Sequence, residues 1–302
     1  MEILEVLLDP ILPVFTIMAF GFAMGRTGKT SVDDARLLNR FAMSILLPVF
    51  IFGVIANTPI SSFSIVPVAI YAGVQAIIFT VGFLLAYRVF KRSAGEALLL
   101  GFCGIFGNNA LYVLPMSVLL YGQENVLPVT AIVTLDAILA FGCSMLALQI
   151  ISIGKARVSA VVLSIAKLPM IQAIIFGVGL NLLGISVPSP INTFVDFSGA
   201  GAAPVALFAL GVVLSQTQFQ LDGTVVSFTL IKLLLFPASI WLGLEFFAAD
   251  DPGKGLFLLG AAAPAGAMSF SLAMLYNIRT DAIAQIIIVT SVLTLLTLAA
   301  LA

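Results

Sequence analysis

Long apolar stretches dominate this chain, and short polar connections separate them. A helix needs about 20 apolar residues to cross the hydrocarbon core of a bilayer. Ten stretches of this kind follow one another, so we predict an all-α membrane protein with ten spanning helices. Their approximate ranges are 4–24, 37–57, 65–89, 97–121, 127–151, 168–187, 193–215, 224–247, 254–277 and 281–301. Residues 152–167 form an amphipathic connection between the fifth and sixth stretches.

The fourth and ninth stretches contain residues that disfavour a continuous helix. The fourth contains Gly107-Asn108-Asn109-Ala110 followed by Pro115, and the ninth contains Ala263-Pro264-Ala265-Gly266-Ala267. Lipid cannot hydrogen-bond freed backbone groups, so such breaks are stable only inside protein or beside a water-filled cavity. Paired interruptions in corresponding spans are typical of the substrate site of a secondary transporter. We predict that Gly107, Pro115 and Pro264 are the architectural residues of the two breaks.

The two halves of the chain align with each other at an offset of about 155 residues. At this offset Leu120-Tyr121-Gly122 falls on Leu275-Tyr276-Asn277, and Asn109 falls on Pro264. Each half has five predicted spans, an odd number, so the second half must lie upside down relative to the first. We therefore predict two inverted repeats, residues 1–151 and 152–302, whose broken fourth and ninth helices cross.

Positive residues favour one set of loops. Cytoplasmic loops of membrane proteins carry an excess of Lys and Arg. The loops on one side carry Arg26, Lys29, Arg36, Arg40, Arg88, Lys91, Arg92, Lys155, Arg157, Lys167 and Arg279. The opposite loops carry only Lys254. This asymmetry predicts that both termini face outside, which is the periplasmic side of the inner membrane in a bacterium. We expect Asp33, Asp34 and Arg36 in a solvated loop.

Composition narrows the class of protein. The 302 residues are 61% hydrophobic and 9% charged, and the mean hydropathy of +1.21 is far from that of a soluble domain. The net charge of −1 gives no basic surface for nucleic acid. The chain has no histidine, which removes imidazole metal sites and histidine relays, and we predict neither a metal nor a cofactor. Cys103 and Cys143 lie in apolar spans, where we expect buried, unpaired thiols.

Four segments resemble the auxin efflux carrier family. They are Asn108-Asn109-Ala110-Leu111-Tyr112-Val113-Leu114-Pro115-Met116, Ala261-Ala262-Ala263-Pro264-Ala265, Ala203-Pro204-Val205-Ala206-Leu207 through Gly211, and Lys167-Leu168-Pro169. The family includes plant PIN-formed carriers and bacterial members described as malonate or other organic-acid transporters. The resemblance implies a ten-helix fold with scaffold and transport subdomains, similar to bile-acid sodium symporters, and a homodimer. It also implies that Asn108 contacts the substrate carboxylate.

The chain departs from these relatives at two places. It lacks the long hydrophilic loop that plant members carry between the halves. It also lacks an acidic residue just after Pro264, where a bile-acid symporter places a sodium ligand. We therefore favour proton coupling over sodium coupling.

The two breaks predict an anion site. Half-helices that begin near Ala110 and Ala265 would each present unpaired N–H groups and a positive dipole end at mid-bilayer. With the amides of Asn108 and Asn109, these ends would form a cradle for a carboxylate. We predict substrate contacts at Asn108, Asn109, Ala110, Pro264, Ala265 and Gly266. The alternative is that the two asparagines only cap a kinked helix.

Three polar residues lie at membrane depth. Asp136 lies near the centre of the fifth span and needs a partner or a proton, because an ionised aspartate there costs about 2.5–3.5 kcal/mol. It shares a helical face with Ala140, Cys143 and Ala147. We predict a proton-coupling or cation site there, and a bonded packing residue is the alternative.

Lys232 and Gln75 are the other two. Lys232 would either extend its ammonium group toward the headgroups or pair with Asp136 or an anionic substrate. Gln75 would line the cavity or hydrogen-bond between helices.

These features predict a secondary transporter of a small carboxylate, such as a dicarboxylate or an auxin-like acid. The alternatives are a sodium-coupled carrier like the bile-acid symporters, and a membrane protein that binds without transport. A channel would need rings of like charge or a carbonyl filter, and neither pattern occurs in the sequence. An intramembrane enzyme is not expected, because Asp136 is the only acidic residue predicted at depth.

Overall fold

A computed structural model of the chain describes residues 16–57, 64–122, 125–153, 158–216, 221–266, 268–279 and 281–301. These residues are helical and include no extended strand. The helices of the first half are α1 (16–26), α2 (Val32–Asn57), α3 (Val66–Val89), α4 (Ala94–Ile105), α5 (109–121) and α6 (127–153). Those of the second half are α7 (Val158–Ala166), α8 (Pro169–Leu182), α9 (Ser189–Gly199), α10 (Ala202–Ser215), α11 (Gly223–Phe247), α12 (Lys254–Ala261), α13 (Met268–Leu275) and α14 (Asp281–Leu301).

The protein is embedded in a membrane. Among the described helices, α2, α3, α6 and α11 are each long and apolar enough to cross a bilayer. The fourth and ninth predicted spans are each divided into two helices, α4 with α5 and α12 with α13. Residues 4–15 of the first predicted span lie outside the described residues. The arrangement of ten spans as two inverted repeats stays a prediction.

The seventh predicted span is not one helix, contrary to the sequence prediction. It divides into α9 and α10 at Ala200 and Gly201. Pro204 lies in the first turn of α10 and has no N–H to donate to the preceding turn, which favours a helix start there.

The polar segment at the start of α2 is helical, contrary to the sequence prediction. Asp33, Asp34 and Arg36 lie in the first turns of α2 and not in a loop. The backbone N–H of Asp34 donates to Ser31 Oγ at 3.1 Å, and the Ser31 N–H donates to Asp34 Oδ2 at 2.9 Å. This reciprocal capping box satisfies N–H groups that would otherwise lack a helical partner.

A π-helical turn at Asp136–Phe141 changes which face of α6 is buried. The sequence predicted a buried stripe of Asp136, Ala140, Cys143 and Ala147. The buried residues are instead Asp136, Ala140, Ser144 and Leu148, while Cys143 is exposed. A π-turn accommodates one extra residue, so every later residue rotates to a new position around the helix. The prediction of a buried thiol is therefore wrong for Cys143, although Cys103 is buried.

Two hydrophobic cores meet at the broken helices. The first core draws its residues mainly from α3, α4, α11, α13 and α14. The second draws them mainly from α2, α5, α8 and α10. In the first broken span, α4 belongs to the first core and α5 to the second, and in the other broken span α12 contributes to both, so each broken span connects one core to the other.

Candidate functional site

The two breaks pair directly with each other. The backbone N–H of Asn108 donates to the carbonyl oxygen of Pro264 at 2.8 Å, and that of Gly266 donates to Phe106 at 2.9 Å. Gly107 and Ala265 thereby form a short antiparallel bridge. A Cβ atom added at Gly266 would lie 2.4 Å from the ring of Phe106, so this approach requires glycine. The two interruptions lie together, as the sequence predicted.

This pairing uses N–H groups that the sequence analysis expected to be open. The N–H of Gly266 is bonded to Phe106, and that of Ala265 donates to Thr290 Oγ1 at 3.0 Å. The expectation of unpaired donors at these two residues is wrong in this conformation. The reason is that backbone groups away from water must be satisfied by the protein itself. Substrate contact by Pro264, Ala265 and Gly266 stays a prediction.

A buried carboxylate holds the first break. Asp136 Oδ2 accepts a hydrogen bond of 3.0 Å from Asn109 Nδ2, and its Oδ1 accepts one of 2.6 Å from Gln75 Nε2. All three side chains are at most 4% exposed. Two accepting oxygens are the pattern of an ionised carboxylate. Gln75 therefore hydrogen-bonds between α3 and α6, and it is not among the residues that line the cavity described below.

Asn108 and Asn109 have different roles. Asn108 occupies the N-cap position of the π-helical turn that begins α5, but its side chain makes no capping hydrogen bond. Its half-buried amide lines the cavity and has no hydrogen-bond partner in the described part of the chain. The amide of Asn109 is instead fixed to Asp136. The proposal that both side chains only cap a helix does not fit Asn108.

Two further polar atoms near this carboxylate are buried without a partner among the described residues. They are the hydroxyl oxygen of Tyr71 and Oδ1 of Asn109. The charge of Asp136 acts on Tyr71, so the two groups are close in space. The sequence analysis missed Tyr71 because nothing distinguishes it from a packing aromatic residue.

Lys232 is fully buried, so the prediction that it extends toward the headgroups is wrong. Its Nζ donates to the carbonyl oxygen of Ala261 at 3.0 Å and lies 4.8 Å from the ring centre of Phe236. Ala261 is the last residue of α12, where carbonyl groups lack helical partners and the helix dipole is negative. Lys232 thus stabilises the end of the half-helix that leads into the second break. Its charge and that of Asp136 interact, but no ion pair joins them among the described residues.

A cavity of about 610 Å³ lies against the first break. Its volume is typical of a small-molecule site. Its lining includes Gly107, Asn108, Asn109, Ala110 and Asp136, together with Gly266 and Met268 from the second break. Arg36, Asn39 and Arg40 line it as well. Most of the remaining lining is apolar: Phe106, Val133, Phe141, Leu168, Met170, Leu207, Val213, Phe270, Ile287 and Ile288.

The structure therefore brings only some of the predicted residues to the cavity. Four of the predicted residues do not line it. Gln75 bonds to Asp136 and Lys232 bonds to Ala261, while Pro264 and Ala265 belong to the second break but are not part of the cavity wall. Pro115 lies in α5, just after the π-helical turn.

Two residues of the site received no such role from the sequence. Thr290 lies in the tenth predicted span, and Arg40 was used only to predict which side of the membrane the loops face. A threonine in an apolar helix and an arginine beside a loop are too common to indicate a site.

Comparisons with known proteins identify a transport family. The family described as "Membrane transport protein" matches residues 6–152 and 155–302. A protein of Rhizobium meliloti (strain 1021) named "Putative malonate transporter" is 25% identical over 302 residues, covering 96% of this chain and 93% of its own. The "Uncharacterized transporter YfdV" of Escherichia coli (strain K12) is 26% identical over 270 residues, covering 84% of each chain.

An archaeal relative extends the similarity along the chain. The "Uncharacterized transporter MJ1031" of Methanocaldococcus jannaschii is 23% identical over 308 residues, covering 97% of this chain and 96% of its own. The matched family spans both halves, and these relatives are transporters by name. The chain belongs to this membrane transport protein family, that of the auxin efflux carriers.

Proposed function

We propose that the chain is a secondary active transporter that carries a small organic anion across the membrane by alternating access. The observation that carries this proposal is the paired break beside a cavity of about 610 Å³, with the free amide of Asn108 at its wall. Broken helices that meet in a membrane protein are typical of transporter binding sites. The name of the Rhizobium relative makes malonate the first substrate to test.

The break binds a carboxylate with neutral donors. The start of α5 supplies N–H groups without helical partners and the positive end of a helix dipole. Asn108 adds a side-chain amide, and Ala110 lies beside it in the cavity wall. Neutral donors at the break hold this carboxylate less strongly than a buried cation would, which favours its release. A single negative charge leaves the cell downhill by about 2.3 kcal/mol per 100 mV, so uptake of a dianion requires co-transported protons or cations.

Asp136 couples a proton to this site. Its carboxylate holds the amide of Asn109, which is the neighbour of Asn108 in the break. Protonation removes the charge and one accepting position, which weakens the bond to Asn109 and frees the break to change conformation. Both oxygens already accept from amides, and the nearby cation is Lys232, so this environment favours a proton over a sodium ion.

The cavity faces the cytoplasm in this conformation. Arg36 and Arg40 are exposed and line the same cavity as the break. Positive residues mark the cytoplasmic side of a membrane protein. In a bacterial inner membrane, both termini then lie on the periplasmic side.

Counterflow in proteoliposomes tests the function. Vesicles loaded with unlabelled malonate should accumulate external labelled malonate above equilibrium, because a carrier exchanges one anion for another. A proton gradient should drive net flux, and a sodium gradient should not. Current without accumulation would indicate a channel, and binding without flux would indicate a binding protein. Either result overturns the proposal, as does the absence of exchange with every carboxylate tested.

The variant Asn108→Ala tests the site itself. It should lower exchange by about tenfold or more, because a hydrogen bond to a charged group contributes about 1.5–3 kcal/mol. Asn57→Ala is the matched control, since the Asn57 amide bonds to Gly53 and Asn192 outside the cavity. Equal exchange by the two variants would show that the Asn108 side chain does not bind the substrate.

A further inference from the structure

We propose that Arg40 binds a second anionic group of the substrate and makes the carrier selective for dianions. This inference rests on the proposed function and assigns a role to a charged residue of the cavity lining. It requires that an arginine of the lining lack a partner in the protein and that the cavity suit a substrate with two anionic groups.

Arg40 lines the cavity and is unpaired. It makes no ion pair or side-chain hydrogen bond to any residue within the described ranges. Arg36 lies one turn earlier on α2 and lines the same cavity, but its Nη1 contacts Asp33 Oδ1 at 2.7 Å. Arg36 thus already contacts a carboxylate of the protein, whereas Arg40, one turn later on the same helix, contacts none among the described residues.

The helix dipole does not account for Arg40. A basic residue in the last turn of a helix is often stabilised by the free carbonyl groups at the helix end. Arg40 occupies such a place in the segment Val32–Phe41. The backbone, however, continues as a π-helical turn through Ala42–Leu46 and as α-helix to Asn57. There is no helix end at Arg40, so its charge is available to another partner.

The cavity lining thus carries two kinds of polar group. Asn108 and the start of α5 offer neutral donors. Arg40 offers a planar, permanently charged group that can bind a carboxylate through two parallel hydrogen bonds. Leu168, Leu207 and Val213 contribute to a largely apolar wall of the same cavity. A molecule with two anionic groups joined by a short apolar chain complements this distribution.

The probes are diacids and their monoamides. Malonate, succinate, glutarate and adipate each carry two carboxylates, and the monoamide of each acid has the same size with one charge fewer. Affinity is measured on the purified full chain by calorimetry, at a pH where every carboxylate is ionised. Wild type should prefer at least one diacid over its monoamide by about tenfold, as expected for one charge-assisted contact. The preferred length reports the distance between Asn108 and Arg40 across the cavity.

Arg40→Gln should remove this preference while binding of the monoamides changes by less than about twofold, since their single charge still binds at the break. Arg40→Lys should retain part of the preference, because it keeps the charge and loses the two-pronged geometry. Arg36→Gln is the matched control and should keep most of the preference for diacids.

Three results would overturn the inference. Equal preference in wild type and Arg40→Gln would show that Arg40 does not bind the second group. If Arg36→Gln and Arg40→Gln lost the preference for diacids equally, the preference would come from the total positive charge near the cavity and not from Arg40 itself. If wild type bound monoamides and diacids alike, the inference would fail while the anion carrier remained. If wild type bound no anion at all, the proposed function itself would fail.

Discussion

The two breaks occupy corresponding places in the chain but are held by different chemistry. In the first, a buried carboxylate, Asp136, accepts a hydrogen bond from the side chain of Asn109. In the second, a neutral hydroxyl, that of Thr290, accepts one from the backbone of Ala265 and donates to the carbonyl of Ile286 at 2.7 Å. The first break is thus held by a group that can change its charge, and the second by a group that cannot.

We infer from this difference that the two breaks have different roles. A carboxylate loses a charge and an accepting position when it takes up a proton, whereas a hydroxyl bond is the same at every physiological pH. The first break also presents the free amide of Asn108 to the cavity, while Pro264 and Ala265 lie behind it. We infer that the first break responds to substrate and proton, and that the second forms the surface against which it moves.

The largest expected effect comes from Asp136→Asn, which makes the first break neutral like the second. Gln75 and Asn109 donate to different oxygens of Asp136, and the amide replaces one of these oxygens with an NH2 donor, so one of the two amides would face a donor in place of its acceptor. Malonate exchange should fall by about tenfold to a hundredfold, because a hydrogen bond to a charged group contributes about 1.5–3 kcal/mol. The dependence of the remaining flux on proton gradient should disappear.

Asp136→Glu controls for folding, because it keeps the charge at this position, and thermal unfolding of both variants should be followed. A folded Asp136→Asn protein with an unchanged response to the proton gradient would remove Asp136 from coupling.

A smaller effect is expected from Lys232→Met, which removes the ammonium group that donates to the last residue of α12. The carbonyl of Ala261 and the charge of Asp136 would both lose a favourable interaction. Removing the charged partner of a buried hydrogen bond costs about 1.5–3 kcal/mol. Thermal unfolding in detergent should show this loss.

Leu234→Met serves as the control, since Leu234 is exposed in the same π-helical turn as Lys232. If both variants unfolded at the same temperature, the contact with Ala261 would contribute nothing to stability.

The smallest effect is expected from Thr290→Val, which removes the hydroxyl that holds the second break. The N–H of Ala265 would then be buried without an acceptor, at a cost of about 1–3 kcal/mol. The proton dependence of transport should remain, because no titrating group is changed. The readouts are thermal unfolding and flux against pH.

Thr229→Val is the matched control for the same chemical change. The Thr229 hydroxyl is buried but makes no hydrogen bond to the part of the chain that the structure describes. Its removal should leave stability nearly unchanged. A Thr290→Val protein that lost its proton dependence would contradict the division between a responsive and a supporting break.

The sequence was sufficient to find both breaks. Gly107 and Pro264 interrupt apolar spans, and helix-disfavouring residues act through the local backbone. It was not sufficient to divide the roles of Asn108 and Asn109, because adjacent side chains point in different directions and only their neighbours decide what each one meets. The π-turn at Asp136–Phe141 was equally hidden, and with it the burial of Ser144 in place of Cys143.

The amino-acid sequence is enough to show that the chain lies in a membrane and where its helices break, because hydrophobic length and backbone chemistry are local properties. Which polar groups meet follows from the packing of the helices. This packing bonds Asn109 to Asp136, takes Lys232 to the end of α12, and leaves Arg40 free beside the cavity. These pairings join residues far apart in the chain, and they depend on how helices approach and rotate against one another.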